Sequence, residues 1–323
     1  MSEPASSGTL RVSARLGDRT RRRLSRSRLQ TRSDNLAGYI FMSPWLIGFL
    51  LLTAYPFFYS FYLSFTNYSL LRPPVWVGLS NYLRILTRDA VFRTSLRVTF
   101  NFVFVSVPLR LVVSLMIAML LSRATRGMSL YRTAFYFPSL IGGSIAVAAL
   151  WRNIFGRSGY VNALLAVVGI QGRGWISHPD TALGTLILLN VWQFGSAMVI
   201  FLAGLKQIPA EMYESASIDG AGSFRRLIHI TLPLLSPVIF FNVILGVINA
   251  FQMFTPAFVI TSGGPVNSTY MYALYLYEKG FRQFQMGYAS TLAWLLLVIV
   301  AILTGINFYL SKHWVYYESG GEG

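Results

Sequence analysis

The sequence predicts an all-α membrane protein with six transmembrane helices. Of its 323 residues, 54% are hydrophobic and only 12% are charged, and the mean hydropathy is +0.53. A soluble globular domain carries about 25% charged residues. The chain also contains six apolar runs long enough to cross about 30 Å of hydrocarbon, which takes about 20 helical residues. These runs lie at 38–66, 95–122, 134–155, 181–205, 234–261 and 287–311.

Prolines interrupt two of these runs, Pro44 and Pro56 in the first and Pro108 in the second. Neighbouring helices satisfy the backbone groups that a proline frees, so we expect kinks rather than helix ends. The segment 159–170 is apolar but too short to cross a bilayer, and we predict an interfacial helix there.

The chain begins with an Arg- and Ser-rich segment at 1–36, which we predict to be a flexible tail because it cannot bury enough apolar surface to order itself. A mitochondrial transit peptide has a similar composition and is an alternative. We therefore divide the chain into this tail, a transmembrane domain at 37–313 with a polar loop at 206–233, and a second tail at 314–323.

The distribution of basic residues predicts the orientation of the spans. If both termini lie in the cytoplasm, the segments on that side carry 16 Lys and Arg residues and the external loops carry eight. Because basic residues concentrate on the cytoplasmic side, we predict cytoplasmic termini and a cytoplasmic polar loop. Topology thus accounts for the net charge of +16, and a nucleic-acid partner is not needed to explain it.

Several classes of chemistry are disfavoured. The chain has no cysteine, and its histidines are scattered over different segments, so a metal site or a His-based catalytic group is not expected. A P-loop requires Gly-Lys-Ser/Thr, and none of the three lysines follows a glycine. We therefore predict that the chain is not an enzyme. No carboxylate lies within the predicted spans, which argues against a proton-coupled carrier.

The polar loop at 206–233 predicts a helix–turn–helix. Pro209 suits the first turn of a helix, where its missing N–H is not needed. Gly220 can adopt the left-handed conformation that closes that helix. We expect Ser223 to cap a second short helix and Pro233 to end it at the membrane.

In this second helix Phe224, Leu227 and Ile228 fall at positions i, i+3 and i+4 and should form one apolar face. An exposed apolar face of this kind is typical of helix-in-groove docking on a partner protein. The alternative is an amphipathic linker that rests on lipid headgroups.

The loop also carries the pattern Glu-x-Ala-x-x-x-Gly, nine residues, then Ile-x-Leu-Pro. This pattern resembles the signature loop of the permeases of binding-protein-dependent ABC importers. The matching residues, with those that complete its Asp-Gly-Ala centre, are Glu214, Ala216, Asp219, Gly220, Ala221, Ile230, Leu232 and Pro233. Ser215 departs from the usual alanine, which is a small-for-small change.

The resemblance extends over about residues 40–315. The segments TSGGP at 261–265, GYAS at 287–290, AGLKQIP at 203–209 and GYVNALL at 159–165 are similar to the sugar-importer branch, which includes the maltose, lactose and glycerol-phosphate permeases. The resemblance implies a bacterial inner-membrane permease that moves a sugar or oligosaccharide from an extracytoplasmic binding protein into the cytoplasm. An acidic oligosaccharide or a sugar phosphate is an alternative cargo.

The resemblance also implies the partners. A second homologous permease would complete a heterodimer, and two ATPase subunits would bind ATP and Mg²⁺, so this chain would hold no cofactor of its own. The loop would dock on an ATPase, with Glu214 paired to a basic group and Gly220 permitting the turn. An ion-coupled secondary transporter, and a membrane enzyme or assembly anchor, are readings of a different class.

Polar side chains within the predicted spans are candidates for the transport path, because polar groups in hydrocarbon are costly. Amides and aromatic rings suit a sugar, whose hydroxyl groups need hydrogen-bond partners. The alternative is that these amides join helices to one another. The candidates are Asn190, Trp192 and Gln193 of the fourth span and Asn242, Asn249 and Gln252 of the fifth.

Arg110 lies near the middle of the second predicted span, where a charge costs about 2.5–3.5 kcal/mol on insertion scales. One interpretation is an intramembrane arginine that faces the partner permease. The other is a group that balances the charge of an anionic substrate.

Overall fold

The computed structural model describes residues 38–122 and 127–316, and every structural statement below concerns that part of the chain. The predicted tail at 1–36 and all but the first three residues of the predicted tail at 314–323 lie outside the described residues.

The chain separates into two units between Tyr62 and Leu63. Helix α1 spans Gly38–Ser64, so this boundary falls within its last turn. A π-helical segment at Leu50–Ala54 lies within α1 just ahead of Pro56. The proline therefore does not end the first helix, in agreement with the sequence-based expectation.

The described remainder of the second unit consists mostly of helices, with one small hairpin. Its strands β1 and β2 are Thr66–Ser69 and Arg72–Trp76, which pair antiparallel. The helices are α2 (Ser80–Arg88), α3 (Ala90–Leu121), α4 (Met128–Ile141), α5 (Ile145–Ile154), α6 (Tyr160–Val167), α7 (Pro179–Trp192), α8 (Gly195–Leu205), α9 (Ala210–Ile218), α10 (Ser223–Leu234), α11 (Ser236–Phe251), α12 (Tyr272–Tyr277) and α13 (Met286–Trp314).

Three of the described helices, α1, α3 and α13, are each long and apolar enough to cross a membrane. Three further pairs meet this criterion only together, because each is bent at a short break. The bends are 97° between α4 and α5, 42° between α7 and α8, and 69° between α10 and α11. The described chain therefore has up to six spans if each bent pair is counted as one.

The boundaries of two predicted spans are wrong. The run 134–155 is not one helix, because the chain turns sharply at Gly142–Ser144. The run 234–261 is helical only to Phe251 before it becomes irregular, with a π-helical segment at Ala257–Thr261. Hydropathy reports apolar composition along the chain, whereas these glycine- and proline-containing segments change its direction.

The central element of the core is α3, which packs against α7, α8, α11 and α12. Its face toward these helices is built from fully buried side chains such as Phe102, and Pro108 lies inside the helix without ending it. Small polar residues also join α3 to its neighbours. The Thr99 hydroxyl accepts a hydrogen bond from the backbone N–H of Tyr272 at 2.8 Å. The Ser114 hydroxyl donates to the carbonyl oxygen of Phe194 at 3.0 Å.

The break between α4 and α5 is hydrogen-bonded to the break between α7 and α8. The Ser139 hydroxyl donates to the carbonyl oxygen of Gln193 at 3.0 Å and accepts from the N–H of Ser196 at 3.1 Å. The Gln193 amide nitrogen donates to the carbonyl oxygen of Gly142 at 3.2 Å. Backbone groups freed at one bend are thus satisfied at the other, as a helix break inside a membrane requires.

Close packing reinforces this junction. A Cβ added at Gly195 would lie 2.8 Å from the carbonyl oxygen of Phe135, and a Cβ at Gly142 would overlap the Gln193 side chain. Glycine is therefore needed at both positions for the two bends to approach each other.

Candidate functional site

Helix α9 ends in a tight turn at Gly220. Gly220 has a φ of +75° and thus adopts the predicted left-handed conformation. The N–H of Ala221 donates to the carbonyl oxygen of Ala216 at 2.8 Å, and the N–H of Gly220 donates to that of Ser217 at 3.1 Å. These two bonds form a Schellman motif, which satisfies the last carbonyl groups of α9 and redirects the chain into α10.

The turn between α9 and α10 presents apolar side chains to solvent. Ile218 is 87% exposed and Phe224 is 74% exposed. Glu214 is also exposed on α9. The Tyr213 hydroxyl lies 3.0 Å from the Thr231 hydroxyl and fixes α9 against α10. The segment is therefore a firmly built projection that combines exposed apolar groups with a carboxylate.

Two local predictions for this segment are wrong. The N-cap of α10 is Gly222 with no side-chain cap, and Ser223 is already the first helical residue. Pro233 does not end α10, because the helix continues to Leu234 after a π-helical turn at Leu227–Thr231. Pro233 is tolerated because it stands at the start of a new α-turn, where the π geometry has already displaced the regular hydrogen bonds.

The three residues of the predicted apolar face differ in exposure. Phe224 and Ile228 are exposed, whereas Leu227 is only half-buried. The remaining residues of the loop pattern lie on the same projection. Asp219 and Pro233 are exposed, and Ala216, Ala221, Ile230 and Leu232 are half-buried. The role of the pattern in docking stays a prediction.

A small cavity with a mixed polar and apolar lining lies between α3, α8 and α11. Its volume is about 70 Å³, and its lining includes Arg110, Asn242 and Asn249 together with Ser196. Three of the predicted transport-path residues therefore meet at one place. Within the described residues, the buried Nε of Arg110 has no hydrogen-bond partner, which makes it an open donor beside the cavity. The Asn242 amide donates to the carbonyl oxygen of Val238 at 3.0 Å.

The other predicted transport-path residues lie elsewhere. Gln193 joins the two helix breaks described above, and the Trp192 ring packs 5.8 Å from that of Trp151. The side-chain oxygen of Asn190 is buried and lacks a partner among the described residues. Gln252 is exposed just beyond the end of α11 and does not line the cavity. The geometry thus supports the helix-joining interpretation for Gln193.

The structure also contains a polar cluster that was not predicted from the sequence. It surrounds Asp89, which caps α3 by accepting a hydrogen bond from the N–H of Phe92 at 2.9 Å. The hydroxyl groups of Tyr275 and Tyr288 also donate to the Asp89 carboxylate. A helix-capping aspartate before an apolar run is a recognisable signal. Its tyrosine partners are 186 and 199 residues away in the chain, and no local pattern could have found them.

The environment of Asp89 shifts its acidity. Partial burial raises the pKa of the carboxyl group. The hydrogen bonds from Tyr275, Tyr288 and the Phe92 amide, together with the charge of Lys279, lower it, and the net effect is a pKa below its usual value. For Tyr275, burial and the hydrogen bond to Asp89 both raise the pKa, so its hydroxyl remains a donor. Asp89 is thus held as a carboxylate.

Comparison with known proteins identifies the family. The family model described as "Binding-protein-dependent transport system inner membrane component" matches residues 86–315. The chain belongs to this family. It is therefore a multi-pass inner-membrane permease component of an ABC transport system, a family in which the ATPase is a separate subunit.

Similar proteins include permeases of several sugar systems. The chain is 53% identical to the "Probable ABC transporter permease protein YesP" of Bacillus subtilis. This match covers 90% of this chain and 95% of that protein. It is 32% identical to the lactose transport system permease protein LacF of Rhizobium radiobacter, in a match that covers 89% of this chain and 98% of that protein. It is also 32% identical to the trehalose/maltose transport system permease protein MalF of Thermococcus litoralis, in a match that covers 86% of this chain and 94% of that protein.

A solved structure shares the fold. One chain in the crystal structure of a bacterial alginate ABC transporter, in complex with an alginate pentasaccharide-bound periplasmic protein, matches with a TM-score of 0.75. The match covers 87% of this chain and 95% of that chain, at 19% sequence identity. At this identity the comparison establishes the fold alone.

Proposed function

We propose that this chain is the permease subunit of an ATP-driven importer that moves a sugar or oligosaccharide from an extracytoplasmic binding protein into the cytoplasm. The observation that carries the proposal is the exposed projection formed by α9 and α10 in a chain of this family. It displays Ile218 and Phe224 to solvent beside the carboxylate of Glu214. An exposed apolar and acidic projection is suited to a basic, apolar groove on a partner protein.

The partner for this projection is an ATPase subunit, which would hold ATP and Mg²⁺. Glu214 would pair with a basic group of the ATPase, and Phe224 would fill an apolar pocket. A second homologous permease and a second ATPase would complete the importer. In this arrangement six spans leave both termini and the projection in the cytoplasm. The Asp89 end of α3 then faces the binding protein side.

The substrate path is the second part of the proposal. Arg110, Asn242 and Asn249 line a cavity between three helices, and their donors and acceptors suit the hydroxyl groups of a sugar. The cavity is only about 70 Å³, so it would be a closed state that widens during transport.

An acidic oligosaccharide or a sugar phosphate is a second candidate substrate. The specific observation that favours it is the buried Nε of Arg110, which lacks a partner among the described residues. A buried cation with an open donor is stabilised by an anionic ligand. If the substrate is a neutral sugar, Arg110 would instead face the partner permease, which would have to balance its charge.

Reconstitution tests the proposal. The chain is placed in proteoliposomes with the second permease, the ATPase and the binding protein, and uptake of labelled neutral and acidic oligosaccharides is measured with and without ATP. We expect uptake to require ATP. Glu214→Ala should reduce both uptake and substrate-stimulated ATP hydrolysis, while the amount of inserted protein stays unchanged.

A matched control separates docking from a general charge effect. Glu211→Ala removes an exposed carboxylate from the same helix, three residues earlier and outside the loop pattern, and should leave uptake near the wild-type rate. Equal losses in both variants would argue against a specific role for Glu214. Uptake driven by an ion gradient without ATP would favour a secondary transporter instead.

A further inference from the structure

A pocket of about 270 Å³ opens where α3 and α13 begin, and it has an excess of positive charge. Arg84, Arg88 and Lys279 line it, and Asp89 supplies the one carboxylate in that lining. The oxygens of this carboxylate already accept hydrogen bonds from two tyrosine hydroxyls and a backbone amide. Three cations therefore share one carboxylate whose acceptor capacity is largely used.

Nearby carboxylates offset the cations of the pocket only in part, since Asp89 and Glu278 act on Lys279 through their charge. Within residues 38–122 and 127–316, none of the three makes a salt bridge. The Arg84 guanidinium lies 5.4 Å from the centre of the Tyr288 ring, and Lys279 Nζ lies 5.3 Å from it. Lys279 also donates to the Gln283 side chain at 3.0 Å. Partial burial and the charge of Arg84 lower the pKa of Lys279, whereas the charges of Asp89 and Glu278 oppose that effect. An anion in the pocket would stabilise all three charges.

The helix that carries the two arginines is held firmly. The Asn81 side chain donates to the carbonyl oxygens of Ser64 at 3.1 Å and Thr66 at 2.9 Å. Ile85, on the inner face of the same helix, is fully buried. Helix α2 is thus anchored before any ligand binds, so Arg84 and Arg88 start from a fixed backbone.

A groove with a mixed apolar and polar lining adjoins the same two arginines. It has a volume of about 750 Å³, and its lining includes Leu79 and Leu83 together with Arg84 and Arg88. Leu79 is 60% exposed and Leu83 is 61% exposed. Leu86 on the same helix is 56% exposed. A short helix with exposed leucines and arginines at the end of a membrane span is typical of the bilayer interface.

We propose that this site binds an anionic phospholipid. The phosphate would occupy the pocket formed by Arg84, Arg88 and Lys279, and an acyl chain would lie along Leu79 and Leu83. Lys and Arg residues close to an anionic membrane surface are attracted to its headgroups. A uronate or an acidic protein side chain would account for the cations but not for the exposed leucines beside them. The proposal rests on the chain spanning a membrane, not on the identity of the cargo.

Lipid retention tests the proposal without a transport assay. The full chain is purified in detergent, equilibrated with equal amounts of phosphatidylglycerol and phosphatidylcholine, and analysed for bound lipid by native mass spectrometry. The wild type should retain phosphatidylglycerol preferentially. The double variant Arg84→Gln/Arg88→Gln should lower this retention about 30-fold, because each basic group near the membrane surface contributes about fivefold to binding an anionic lipid. Retention of phosphatidylcholine should not change.

The control removes the same charge from outside the pocket. Arg93 and Arg97 are exposed on α3 and do not line it, so Arg93→Gln/Arg97→Gln should keep wild-type retention. Equal retention in the two double variants would overturn the proposal. Displacement of the lipid by inorganic phosphate alone would assign a free-phosphate site, and displacement by oligogalacturonate would assign an acidic-sugar site. If the arginine variant does not fold, Lys279→Gln serves in its place, with a severalfold loss expected and wild-type retention counting against the proposal.

Discussion

The turn at Gly220 allows a clean test of the projection formed by α9 and α10. Gly220 has a φ of +75°, and an added Cβ would meet no atom within 4 Å. A substitution there is therefore unfavourable only through its backbone conformation. For a non-glycine residue the left-handed conformation costs about 1–2 kcal/mol, and valine lies at the upper end because its side chain is β-branched.

A change of about 2 kcal/mol lowers the population of the native turn about 30-fold relative to alternative turns. Gly220→Val should therefore reduce ATP-dependent uptake by about tenfold or more, with normal membrane insertion, because α9 and α10 would no longer be held in one geometry. Gly220→Asn should retain most of the activity, since asparagine tolerates the left-handed conformation.

Gly222 provides the matched control. It is two residues away, has equally open space around its added Cβ, and has a φ of −64° that any residue adopts. Gly222→Ser should leave uptake unchanged, because serine is also favoured at an N-cap. Wild-type uptake in Gly220→Val, or a loss in Gly222→Ser as large as in Gly220→Val, would refute the reasoning.

Three further predictions concern other parts of the molecule. Arg110→Gln should lower uptake of acidic oligosaccharides about tenfold and spare neutral ones, because a hydrogen bond to a charged group contributes about 1.5–3 kcal/mol; unchanged acidic uptake would end the anionic-substrate hypothesis. Gly287→Ala should destabilise the protein by about 1–3 kcal/mol in thermal unfolding, because its Cβ would overlap the Thr66 carbonyl oxygen, whereas Gly305→Ala, in open space, should not. The pKa of Asp89 is lower in the folded protein than its ordinary value of 3.8, so its carboxylate stabilises the fold at pH values above 3.8. This stabilisation is lost as the pH falls through the lower folded-state pKa. The unfolding temperature of the wild type should therefore fall more steeply below about pH 4 than that of Asp89→Asn. Parallel curves of unfolding temperature against pH would contradict this prediction.

The sequence was informative wherever one local property decides the structure. Gly220 was predicted to be left-handed because only glycine is comfortable there, and the structure has it so. The long helices α1, α3 and α13 were recognisable because length and apolar composition together are sufficient. The breaks within 134–155 and 234–261 were missed because a bent span keeps the composition of a straight one.

The candidate sites show the same division. Arg110, Asn242 and Asn249 were chosen because polar residues in spans are unusual, and the structure brings them to one cavity. Gln193 was chosen on the same ground, but its partner at Gly142 depends on two helix breaks that composition does not reveal. The Asp89 cluster depends on tyrosines nearly 200 residues away, and such pairing is set by tertiary packing alone.

The hydrogen-bonded junction at Ser139 has a mechanical consequence. Helix α8 begins at this junction and ends at Leu205, shortly before the projection, so this one helix joins the two. Because Ser139 also bonds to the carbonyl oxygen of Gln193, we expect a tilt of α8 to be passed to both α4 and α7. In Ser139→Ala these hydrogen bonds are lost, and we expect α8 to move without α4 and α7 following it.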